Sequence, residues 1–73
     1  MNYKDEVMKY INHYKNGICC FEDCIIECVN ILKEVKKYYF SPYPFFPYPK
    51  DVLKLMNEAR IFVLTELIKA IIL

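Results

Sequence analysis

Four thiols fall within ten residues, at Cys19, Cys20, Cys24 and Cys28, and the rest of the chain has none. Thiols at such spacing can pack in a core, pair with a second chain, or hold a soft metal such as Cu(I) or Zn(II). On a helix, Cys20, Cys24 and Cys28 form one stripe, with Cβ atoms about 5–6 Å apart. A disulfide needs about 3.5–4.5 Å, so any disulfide here would join two chains. A metal site built on Cys20, Cys24 and Cys28 would need a symmetry mate to complete it, because the single histidine, His13, lies about two turns away. Glu22, Asp23 and Glu27 surround the thiols and disfavour thiolate. Only a helix beginning near Ile18 would reverse that, by placing Cys19 and Cys20 at its positive end. Plain core packing is the favoured reading, and no cofactor is expected.

The other reactive side chains form no catalytic pattern. Gly17 is the only glycine, so there is no phosphate-cradling loop. The carboxylates are scattered, and Asp5 to Lys9 reads as ordinary i,i+4 helix support. A chain of 73 residues has little room for a pocket that excludes water. No enzymatic activity is expected.

A second group of residues suits recognition rather than catalysis. Ser41 to Pro49 reads Ser-Pro-Tyr-Pro-Phe-Phe-Pro-Tyr-Pro, a double Pro-Tyr-Pro around Phe45 and Phe46. Lys33, Lys36, Lys37, Lys50 and Lys54 flank it against Glu34 and Asp51, a local charge of +3 in a chain of +1. Aromatic rings on a proline-stiffened loop lose little entropy on binding. Tyr43, Phe45, Phe46, Tyr48, Lys37 and Lys50 are therefore the candidate partner-binding residues. The competing role is to close the end of the core. Partners of three kinds suit such a tip: a protein, the interfacial zone of a membrane, or single-stranded nucleic acid.

The elements that must position these residues follow from apolar spacing. Val7, Ile11, Tyr14, Ile18, Phe21, Ile25, Cys28, Leu32, Val35 and Tyr39 alternate four and three apart, the a/d spacing of a coiled coil, while Lys9, Asn16, Asp23, Asn30 and Lys37 keep the outermost positions polar. Residues 3–40 are thus a helical region, 41–49 a loop that four prolines keep out of helix, and 50–73 a second helix, all within one domain of residues 1–73. Asn16-Gly17 also reads as a helix C-cap. The seam holds its phase across Gly17, which favours one helix of about 37 residues; a break would give three helices of roughly 13, 22 and 22 residues.

The expected fold is all-α: a helical hairpin that forms a four-helix bundle as a dimer, with a monomeric three-helix bundle as the alternative. Apolar residues are 56% of the chain, too many for so small a core to cover, so self-association is expected, with Ile11, Tyr14, Ile18, Phe21, Ile25 and Leu32 at the oligomer interface. There is no secretory h-region at the N-terminus, and the apolar run Ile61 to Leu73 is too short to span a bilayer, so a cytoplasmic protein with reduced thiols is expected. Together these features describe a small homo-oligomeric interaction or structural protein that docks a protein partner or a larger assembly through the aromatic loop. Two alternatives stand beside it: a nucleic-acid-binding regulator using the Lys/aromatic tip, and a thiolate metal-binding bundle.

Overall fold

The computed structural model describes residues 2–72 and contains three helices: α1 (Tyr3–Lys15), α2 (Phe21–Phe40) and α3 (Lys50–Ile72). No strand occurs among the described residues. The chain therefore breaks at Gly17, and the continuous helix expected from the seam gives way to the three-helix alternative. Helix lengths are 13, 20 and 23 residues.

Local chemistry explains the break. Gly17 sits at φ +74°, in the left-handed region that side chains resist. Its N–H donates to the Tyr14 carbonyl at 3.1 Å, and the Ile18 N–H donates to the His13 carbonyl at 2.8 Å. This crossed pair is a Schellman motif, which satisfies carbonyls that the end of a helix would otherwise leave bare. Cys20, in extended conformation, then starts α2: its Sγ accepts from the Asp23 N–H at 3.5 Å and its carbonyl from the Cys24 N–H at 3.1 Å. At the other end of α2, the Ser41 N–H closes on the Lys37 carbonyl before the prolines begin. The Pro49 carbonyl accepts the first bond of α3, from the Leu53 N–H.

The buried faces also show why the seam misleads. In α1 the buried residues are Val7 and Ile11, on the a/d phase. In α2 they are Cys24, Cys28, Ile31 and Val35, a face rotated toward the g and d positions. The phase that runs unbroken in sequence thus changes face at the turn. Met56, Ala59, Val63, Leu67 and Ala70 of α3 complete the core, and no polar side chain is buried among the described residues.

Tyr3 packs edge-on against Phe62 with ring centroids 6.0 Å apart, so α1 begins level with the middle of α3. The first turns of α3 therefore pair with the last turns of α2 alone. The result is a rod of 41 × 18 × 18 Å with the proline loop at its two-helix end. Its surface, 5309 Å², exceeds the ~4,800 Å² typical of a chain this size.

Candidate functional site: an aromatic tip and an uncovered face

The proline loop folds back on α2 through stacked rings. Phe40 and Tyr48 lie parallel, 4.6 Å apart with 6° between their planes, and Phe46 meets Tyr48 edge-on at 4.7 Å. Beside this stack, Lys33, Lys36 and Lys37 join Phe40, Ser41 and Tyr48 around an open depression of about 490 Å³. Its floor is apolar and its rim cationic. Lys37 reaches Glu34 at 3.5 Å, but both side chains are well exposed, so the pair is weak and leaves the ammonium group accessible. Phe45 and Phe46 project beyond the stack with 82% and 83% of their surface exposed. Tyr43 is partly exposed, and Lys50 stands exposed at the first residue of α3.

The six expected partner-binding residues thus meet at one end of the rod. Phe40, Lys33 and Lys36 complete the surface beside the six candidate partner-binding residues. Their signal was the i, i+3, i+4, i+7 spacing of 33, 36, 37 and 40, which puts them on one face of α2.

The expected interface residues have more varied settings. Ile11 is fully buried inside its own chain and has no surface to offer a second one. Tyr14 packs on Phe21 at 5.2 Å across the connection between α1 and α2, and Ile25 and Leu32 are half-buried against the core. Ile18 is exposed in the turn.

A larger uncovered surface lies elsewhere. Ile61, Leu64, Ile68, Ile71 and Ile72 are each more than half exposed on the last turns of α3. The first four are spaced three, four and three apart, again an a/d stripe. On α2, Ile26 and Val29 are exposed next to half-buried Ile25 and Leu32. Several of these stand on the side away from α1. That helix meets α2 along a groove lined by Glu6, Tyr10, Glu27, Ile31 and Glu34, and it meets α3 at Phe62. Ile25, Val29 and Leu32 stand half a turn from Glu27 or Glu34, and Leu64 and Ile71 half a turn from Phe62. The α2–α3 layer is therefore covered on one side only. The sequence held this signal, but α3 is apolar nearly all round and its spacing fits more than one phase.

Cys24 and Cys28 are neighbours, but Cys20 stands apart from them in burial. Cys24 and Cys28 are fully buried, Cys19 is partly buried, and Cys20 is exposed at the start of α2. Among the described residues, no three His, Cys, Asp or Glu side chains are grouped to hold a metal ion. Burial pushes the Cys28 thiol up to about 12, with the neighbouring Cys24 adding to the effect. Burial also raises Cys24, against a hydrogen bond with Cys28 that lowers it. Cys20 does sit at a helix N-terminus, where the Asp23 N–H pulls its pKa down, yet the Asp23 and Glu22 carboxylates outweigh that bond and the net shift is upward.

No helix among the described residues is long and apolar enough to cross a membrane. The sequence matches no protein-family model, and neither the search of curated proteins nor that of solved structures found a similar chain.

Proposed function

We propose that this chain is a self-associating helical interaction module, which pairs through its open α2–α3 face and docks a larger structure through its aromatic tip. The observation that carries the reading is the uncovered stripe Ile61, Leu64, Ile68 and Ile71, with Ile72 beside it. Together these five expose the equivalent of about three whole side chains. At about 1.5–3 kcal/mol for each fully buried aliphatic side chain, covering them contributes roughly 5–9 kcal/mol per chain. Two chains double that, which offsets an association cost of about 4–15 kcal/mol. A two-fold axis beside α3 would set α2 and α3 of one chain against the same pair of its partner, a four-helix core with α1 outside it. The tip lies at the other end of α3 and would stay free, so a dimer would present it twice.

Ile68→Lys tests the pairing. Ile68 faces solvent in the single chain, so the variant should keep its helical circular dichroism. Sedimentation velocity should show a dimer for the wild type and a monomer for the variant, with the dimer constant weakened at least about a hundredfold. A wild-type chain that stays monomeric at high concentration overturns the reading.

A further inference from the structure

The tip combines features that suit one kind of surface. Two phenylalanines stand almost fully exposed at the end of a rod, with no polar group on either ring. Behind them ring contacts run unbroken from Phe46 through Tyr48 to Phe40, and from there to the lysine-rimmed depression of Lys33, Lys36 and Lys37. Lys50 and Lys54 add two further exposed cations at the start of α3. The apolar point and the basic collar are therefore one continuous surface, in the order that an anionic bilayer would meet them. The rings enter the interfacial zone while the ammonium groups stay among the headgroup phosphates.

The backbone of the loop fits the same environment. Residues buried at a membrane interface must leave few bare N–H groups. Pro42, Pro44, Pro47 and Pro49 remove four of the nine donors between Ser41 and Pro49. Ser41 and Tyr43 spend theirs on the Lys37 and Phe40 carbonyls, which leaves those of Phe45, Phe46 and Tyr48 for the headgroup oxygens. The Phe40–Tyr48 stack meanwhile offers a nucleic-acid strand fewer ring faces than the aromatic count of the tip suggests. The faces of Phe40 and Tyr48 lie against each other, where a base would need them open. Residues 1–32 are net acidic, so no basic track continues along the rod for phosphates to follow.

We infer that the Phe45–Phe46 tip with its collar of Lys33, Lys36, Lys37 and Lys50 is a peripheral docking site for an anionic phospholipid membrane surface. This rests on the tip being the docking end of the module and names what it docks to. The bilayer is touched and not crossed. The lysines on the rim of the depression beside Phe40 and Tyr48 meet the headgroup phosphates.

Co-sedimentation of the full chain with vesicles tests the assignment. Phosphatidylcholine vesicles with about one-third phosphatidylserine should bind it at least about tenfold more tightly than phosphatidylcholine alone, and high salt should weaken that binding. The double variant Phe45→Ser/Phe46→Ser should lose at least about tenfold of the binding and keep its helicity and oligomeric state, because both rings lie outside the core. Lys36→Glu/Lys37→Glu should abolish the preference for anionic vesicles. Equal partition into both vesicle types, or none into either, overturns the membrane assignment but leaves the pairing of α2–α3 faces standing. A single-stranded oligothymidylate that binds the tip more tightly than the anionic vesicles do also overturns it. Loss of helicity in the Phe45→Ser/Phe46→Ser variant would show that the rings serve the fold, and would overturn the docking role of the tip as well.

Discussion

Cys28 shows what a thiol does when the fold uses it as a small apolar side chain. It has no exposed surface and its pKa stands near 12, so it stays protonated wherever the chain is folded. An unfolded thiol ionises near 9. The contribution of Cys28 to stability is therefore intact below about pH 9 and is lost progressively as pH rises toward 12, because the unfolded chain gives up its proton first. Cys28→Ala removes that dependence at a cost of about 1 kcal/mol near neutrality. The urea midpoint should fall further between about pH 8 and pH 10.5 for the wild type than for the variant, since only the wild type carries the Cys28 thiol. Equal falls would show that Cys28 does not resist ionisation. The sequence placed this residue on the inner seam, and it lies there. It could not place Cys24 deeper than Ile25, because that depends on how far α2 rotates to meet two neighbours instead of one.

At the scale of elements, the decisive residue is Gly17. A Cβ added there meets nothing within 4 Å, so an alanine would suffer only from the positive φ. Gly17→Ala should cost about 1–2 kcal/mol in a denaturant titration, and Gly17→Asn less, because asparagine tolerates the left-handed region. No loss for alanine would mean that the turn rearranges. Proline and capping chemistry made the ends of α2 and α3 legible: Ser41-Pro-Tyr-Pro stops one helix and Pro49-Lys50-Asp51 starts the next. The break in the first half was less legible because Tyr14, Ile18 and Phe21 preserve the seam while performing unrelated tasks. Tyr14 and Phe21 bridge the turn, and Ile18 faces solvent. Periodicity reports which residues are apolar, and only tertiary contact decides which of them share a face.

For the whole molecule, the two open surfaces lie at opposite ends of α3. The C-terminal half carries an aliphatic stripe suited to a second copy, while the N-terminal end carries the aromatic, lysine-ringed tip. The tip was legible in the sequence because its residues are neighbours along the chain. The open face was not, because it joins Ile26 and Val29 of α2 to residues of α3 more than thirty positions away. The rod has more surface than its mass requires, and exposed aliphatic side chains make up part of it. The most direct test of the account is methyl and aromatic NMR of the concentrated chain with a soluble paramagnetic agent. The account predicts that the methyl signals of Ile61, Leu64, Ile68 and Ile71 are shielded and recover exposure on dilution, while the rings of Phe45 and Phe46 broaden at every concentration. Methyl signals on α3 that broaden as strongly as those rings at high concentration would contradict it.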